Sequence, residues 1–219
     1  MLSACLNRVK EIVSSIQSLQ RHNPETLFRD WPRCFAISIQ NSCDLFHGPQ
    51  WEKREQQYME LTKRYTEAEL NKFADMFACL VSAFESDPFQ DYLGTIYMEL
   101  FGGTKQLGQC FTPMNLCRIC AETTIGDDTP DEPRTIADEC CGGGAMLIAA
   151  CEHYRNHGIN YQRNLIIAAA DLDSLCVHMT YIQLSLLGAR ATVYHMDSLS
   201  RQTYACFVTP MEMIRPAFS

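Results

Sequence analysis

The chain has 219 residues, 47% hydrophobic and 20% charged, with a formal net charge of −8. That is enough apolar material for one good core, or one core plus a small domain. It excludes a protein that grips nucleic acid unaided, because such affinity rests largely on basic side chains neutralising phosphate, and here Lys and Arg are scattered among acids. If nucleic acid is the substrate, another segment or subunit does most of the holding. No uninterrupted apolar run is long enough to span a bilayer. The amphipathic N-terminus, MLSACLNRVKEIVSSIQSLQ, has Lys10 and Glu11 inside it and does not read as an export signal. The twelve cysteines, with Cys140 and Cys141 adjacent, are therefore taken as reduced thiols of a cytoplasmic protein, most of them small core residues.

The first hundred residues read as helical. Leu2, Cys5, Leu6, Val9, Ile12, Val13, Ile16 and Leu19 recur at three-to-four spacing and form one apolar stripe. RHNPE breaks that helix. Thr66 and Glu69 form a capping box ahead of AELNKFADMFACLVSAF. Asp87-Pro88 reads as cap and first-turn proline for FQDYLGTIYMELF, which Gly102-Gly103 ends. A helical region over 1–103 is thus expected to precede a second domain over 104–219.

Beyond residue 104 the pattern changes. Thr112 and Pro113 open a helix, and GDDTPDEP is an acidic loop. RTIAD, NLIIAAAD, ATVYHMD and YACFVT read as strands, with AMLIAACEHYRNHG and SLCVHMTYIQLSLLG as helices between the first three. Such alternation predicts βαβ units and a parallel sheet of about four strands. In such sheets ligands sit beyond the carboxyl ends of the strands. Gly142, Gly143 and Gly144 lie between a strand and a helix, where the lack of Cβ atoms allows close approach to the backbone. A dinucleotide loop needs a further glycine where Leu147 stands. S-adenosylmethionine (SAM) carries a positive sulfonium and no phosphate. Asp138 after the first strand suits it, Asp171 after the second is placed for the ribose hydroxyls, and Asp197 after the third for the adenine amine.

These motifs resemble those of the N6-adenine DNA methyltransferases, specifically the modification (M) subunits of type I restriction systems. DECCGGGAML is similar to that family's glycine motif Asp-Pro-x-Cys-Gly-Ser-Gly-Gly-Met-Leu, and LGQCFTP to its Leu-Gly-Gln-Phe-Phe-Thr-Pro. DYLGTIYMELF, AADLDSLCVHMTYIQLSLLGA and HMDSL look like neighbouring family segments, so the likeness covers about residues 88–200. It implies a Rossmann-like SAM-dependent methyltransferase fold behind an all-helical N-terminal region, and methyl transfer to adenine N6 in DNA. It also implies a partner specificity subunit for DNA, and roles for individual residues. Phe111 packs on the cofactor, and Thr112 and Pro113 at a helix N-terminus hold the methionine carboxylate. Asp138, Cys141, Gly142 and Gly144 contact the methionine end, Asp171 and Leu172 the ribose side, and Asp197 the adenine.

In that family an Asn-Pro-Pro-aromatic tetrad one strand later orients the adenine amine and stacks on the flipped base. Here the fourth strand leads into Thr209-Pro210-Met211-Glu212, which puts Thr209 and Pro210 at the catalytic place. Threonine lacks the amide carbonyl and glutamate cannot stack. Three readings follow: a methyltransferase working with a partner, in which another protein completes the sheet; a SAM-binding relative without turnover, acting as a regulatory or anti-restriction protein; or, from the residues alone, a methyltransferase for another amine. No metal is expected. Cys117 and Cys120 are placed inward on one helix as packing, and the six histidines are taken as surface or satisfied core residues without a ligand pair.

Overall fold

The computed structural model describes residues 2–102, 111–126 and 132–214, with side chains from residue 7 onward. Leu107–Cys110 of the LGQCFTP motif and most of the acidic loop lie outside the described residues. The chain divides into two compact units, Met1–Pro88 with Thr95–Leu107, and Phe89–Gly94 with Gly108–Ser219. Among the described residues no helix is long and apolar enough to cross a membrane.

The first unit is helical: α1 (Leu2–Ser18), α2 (Pro24–Cys43), α3 (Pro49–Thr62), α4 (Glu67–Ser86) and most of α5 (Tyr92–Phe101). The stripe on α1 buries Val9, Ile12 and Ile16. The α4 capping box forms in both directions. Thr66 N–H donates to Glu69 Oε2 (2.7 Å), and Glu69 N–H to Thr66 Oγ1 (3.4 Å). Trp31 is fully packed and still satisfies its indole N–H, which donates to Phe73 O (3.1 Å).

The second unit holds α6 (Met114–Thr124), β1 (Arg134–Asp138), α7 (Ala145–Asn156), α8 (Tyr161–Asn164), β2 (Leu165–Asp171), α9 (Ser174–Leu186), β3 (Ala191–Asp197), β4 (Gln202–Val208) and α10 (Pro210–Ile214). The α/β class expected from the sequence is the one adopted. The sheet order is β1-β2-β3-β4, with β1, β2 and β3 parallel. Helix α9 packs on β2 and β3 and is buried along its length, which explains why its sequence shows little polar face.

The fourth strand departs from the expected parallel sheet, because β4 runs antiparallel to β3. Four residues, 198–201, separate the two strands. A parallel crossover needs about a dozen or more, so a short turn enforces a hairpin. Arg201 turns the chain at φ 58°. A register shift between His195 and Met196 interrupts the ladder.

Candidate functional site

Gly142 and Gly144 have φ of 54° and 89°, in the left-handed region where a side chain is strained. Gly144 caps the start of α7, and its N–H donates to Cys141 O (2.8 Å). Groups of the chain itself approach the three glycines closely. A Cβ on Gly142 would stand 3.1 Å from the Phe111 ring, one on Gly143 2.9 Å from Asp91 Oδ1, and one on Gly144 3.1 Å from Thr180 Oγ1.

The polar groups of this loop are largely engaged. Cys141 N–H donates to Ala170 O (2.9 Å) and Gly142 N–H to Asp171 Oδ2 (3.0 Å). Helix α9 takes the carbonyls, with Thr180 Oγ1 donating to Gly142 O (2.8 Å) and Gln183 Nε2 to Gly143 O (2.6 Å). A pyrophosphate cradle needs unengaged N–H groups aimed at the ligand. With the donors of Cys141, Gly142 and Gly144 turned inward, the loop suits a cation better than an anion.

Asp91, Thr180 and Gln183 were not singled out in the sequence. Asp91 Oδ1 accepts from Gly94 N–H (2.9 Å), capping α5, and from Gln183 Nε2 (2.8 Å). Gln183 Oε1 in turn accepts from Leu93 N–H (3.1 Å). Burial pushes the Asp91 carboxyl above the ordinary carboxylate range, against the bonds from Gln183 and Gly94. Asp87, expected to cap this helix, instead closes α4 through its N–H to Ala83 O (2.9 Å). The legible signal was Asp91 with glycine three residues on, at the N3 position of a helix.

The three acids stand where expected, at the carboxyl ends of β1, β2 and β3, each half-buried. The register pairs Asp138 with Ala169 and Asp171 with His195. Each successive strand therefore carries its acid two residues further along. Asp138 Oδ1 accepts from Cys140 N–H (3.1 Å). Asp171 Oδ1 accepts from Asp173 N–H (2.9 Å) while Oδ2 holds Gly142. Ser200, through side chain and backbone, and Leu199 N–H hold the Asp197 carboxyl below its usual range. Asp138 and Asp171 keep lone-pair capacity on both oxygens after these bonds, while Asp197 Oδ1 already accepts from Leu199 N–H (2.9 Å) and Ser200 N–H (3.2 Å). Leu172 is 62% exposed beside them, whereas Cys141 is buried, its thiol pushed up to about 12 by burial. The β3–β4 hairpin adds an aromatic that the parallel expectation missed. Tyr204 packs on His195 (centroids 4.9 Å apart), and His195 Nε2–H donates to Leu172 O (3.1 Å).

Phe111 thus meets the glycine loop, and Thr112 and Pro113 are exposed at the start of α6, where Pro113 is the N-cap. Cys117 is buried, but Cys120 is exposed rather than inward. Three residues turn about 300° around a helix, so the second cysteine falls beyond the buried stripe.

Thr209 and Pro210 are not brought to the acids. Thr209 lies opposite the start of β3, at the other end of the sheet. It is wholly buried, its hydroxyl donating to Ala189 O (2.7 Å) and accepting from Ala191 N–H (2.9 Å). Pro210 opens the short α10, in which Glu212 pairs with Arg190 (2.8 Å). The antiparallel turn of β4 carries this tetrad away from the carboxyl ends. Thr209→Val is accordingly expected to destabilise the protein by about 1–3 kcal/mol in urea unfolding, since Ala191 N–H loses a buried acceptor. Thr209→Asn, which introduces the residue that the resemblance implies at this place, overfills a closed site and is expected to destabilise rather than to confer turnover.

Among the described residues the outer edge of β1 has no paired strand. A cavity of about 500 Å3 opens beside it, lined by α6 (Cys120, Ala121, Thr124), by β1 from Arg134 to Asp138, and by α7. Of the acids only Asp138 reaches it, and Gly142–Gly144, Asp171 and Asp197 stand outside.

The profile of the family described as N-6 DNA methylase matches residues 89–214. No curated protein matches the chain. Among solved structures, the methyltransferase subunit of a type I restriction-modification system from Streptococcus thermophilus is similar at 12% identity and a TM-score of 0.47, over 90% of this chain and 59% of that one. This chain therefore spans less than two thirds of that protein's length.

Proposed function

The chain belongs to the N-6 DNA methylase family, and from that premise we propose that it binds SAM at the carboxyl edge of β1–β3 and takes part in methyl transfer to adenine N6 in DNA. The observation that carries this reading is the coincidence of three strand-end carboxylates with a glycine loop whose donors are engaged internally. An edge rich in acceptors fits a cationic nucleoside with ribose and amine donors.

Bound there, SAM supplies an electrophilic methyl group. The chain's own residues bind and orient it. Asp171, already fixed by two backbone N–H groups, offers its remaining lone pairs to both ribose hydroxyls. Asp197 accepts from the adenine amine. Asp138, Phe111 and the Cys141–Gly144 backbone face the methionine end, whose carboxylate lies toward Thr112, Pro113 and the first turn of α6. Leu172 supplies apolar cover on the ribose side.

The groups that orient the target amine have no counterpart beside these acids among the described residues. On this reading they come from a partner, whose strand pairs with the outer edge of β1. A second reading is favoured by Thr209 and Glu212, both engaged in packing and pairing far from the acids: a SAM-binding regulator or anti-restriction protein without turnover.

Calorimetric titration with SAM is expected to show one site per chain, and the absence of heat together with an unmoved melting temperature would sink both readings. Tritiated-methyl transfer to adenine-containing DNA then divides them. Incorporation with a specificity subunit supports the enzyme, and binding without incorporation under any pairing supports the regulator.

A further inference from the structure

His153 lies in the last turn of α7 and His157, four residues on, caps its C-terminus, while Glu122 lies in the last turn of α6. The spacing puts both imidazoles on one helix face, a pairing that the sequence analysis passed over. Their centroids are 4.1 Å apart. Glu122 reaches both rings, with Oε2 2.8 Å from His153 Nδ1 and Oε1 3.7 Å from His157 Nε2. One ligand atom from each residue lies within 4.8 Å of the others.

We propose that Glu122, His153 and His157 form a binding site for a divalent transition-metal ion of the zinc class, which clamps α6 to α7. Four-coordinate zinc holds nitrogen and oxygen at about 2.0–2.2 Å, which sets neighbouring ligand atoms a little over 3 Å apart. The two observed N···O separations bracket that spacing. His157 also has the outer bond typical of a ligating imidazole. Its Nδ1–H donates to His153 O (2.9 Å), and its Nε2 is the ring nitrogen on the Glu122 side, 3.7 Å from Oε1. The His153 side chain is 1% exposed, and its Nε2 has no hydrogen-bond partner. Its ring hydrogen-bonds through Nδ1, on the side of the site. Glu122 is 62% exposed, so a fourth position is open to water. Two imidazoles and one carboxylate select zinc, nickel, cobalt or copper over magnesium and calcium, which take oxygen ligands. On binding, His153 ligates through Nδ1 as the neutral Nε2–H tautomer, so its ring proton moves from Nδ1 to Nε2 as the ion takes its place beside Glu122 Oε2, and no proton leaves a neutral ring.

The ion is an addition to an interface that already holds. Cys117 and Ala121 of α6 pack on Ala145 and Ala149 of α7, and Arg118 pairs with Glu152 (2.7 Å) one turn away. The metal-free chain therefore keeps its fold. The first turns of both helices border the candidate cofactor site, so the clamp stiffens that frame from its far end. The inference is independent of the cofactor reading.

The test uses the full chain, reduced and stripped with a chelator, and titrated with zinc by calorimetry and thermal unfolding. One ion per chain and a raised melting temperature are expected. Because thiols also take zinc, Glu122→Gln and His157→Gln are compared. Both positions reach solvent, so the metal-free melting temperatures stay near wild type, while zinc affinity falls about tenfold or more in each. Cobalt substituted for zinc is expected to show d–d bands without a thiolate charge-transfer band. No heat and no thermal shift, affinity unchanged in both variants, or a thiolate band would each overturn the proposal and leave Glu122 and His153 as a plain hydrogen-bonded pair.

Discussion

Asp171→Ala is expected to weaken SAM binding by more than about 100-fold in calorimetry. The reason is the number of bonds on one carboxylate. A hydrogen bond to a charged acceptor contributes about 1.5–3 kcal/mol, and two ribose hydroxyls lose theirs together. The variant also frees Gly142 N–H and Asp173 N–H, so a fall in melting temperature accompanies the loss. A control separates the two effects. Asp173 lies two residues away and caps α9, its Oδ1 accepting from Leu175 N–H (2.9 Å). Asp173→Ala is expected to cost about 1 kcal/mol of stability and to leave affinity within a few-fold of wild type. Asp171→Asn, which keeps one carbonyl acceptor, is expected to fall between. Asp171→Ala with wild-type affinity would remove the ribose assignment.

Gly143→Ala is expected to destabilise the second unit by about 2–4 kcal/mol in urea unfolding, through overpacking and the displacement of a buried polar group. The new methyl group meets Asp91 Oδ1 at 2.9 Å, Oδ2 at 3.0 Å and Cγ at 3.3 Å. That carboxyl cannot swing away without leaving Gly94 N–H and Gln183 Nε2 without it. Gly94→Ala meets the same carboxyl still more closely, and a comparable or larger loss is expected.

The same group gives a pH dependence. Burial raises the Asp91 carboxyl in the folded state above its unfolded value, so folding favours the protonated acid. That contribution is complete below the unfolded value of about 3.9 and is lost as pH rises through the raised folded value. Asp91→Asn keeps the Oδ1 acceptor and cannot ionise. Its stability relative to wild type is therefore expected to increase from acid toward neutral pH. Parallel profiles for the two proteins would show that Asp91 does not ionise differently in the fold.

The sequence by itself determined what depends on neighbours along the chain. The capping box at Thr66 and Glu69, the strand–glycine–helix unit at 134–156, and the acids ending three strands were all legible, because caps, periodicity and strand-end positions are local. A stretch of family likeness was legible for the same reason. Only the tertiary structure decided what depends on distant partners. It showed that Phe111, Asp91 and Thr180 fill the space the glycines leave, and that α9 reaches back through Gln183 to the start of α5. It put Glu122 beside His153 and His157. It also turned β4 back along β3, which moved Thr209 to the far end of the sheet. The short turn that forces this reversal is countable in the sequence, since a parallel crossover needs about a dozen residues, but the register of β4 on β3 and the burial of Thr209 depend on partners distant in the chain and exist only once the sheet has formed.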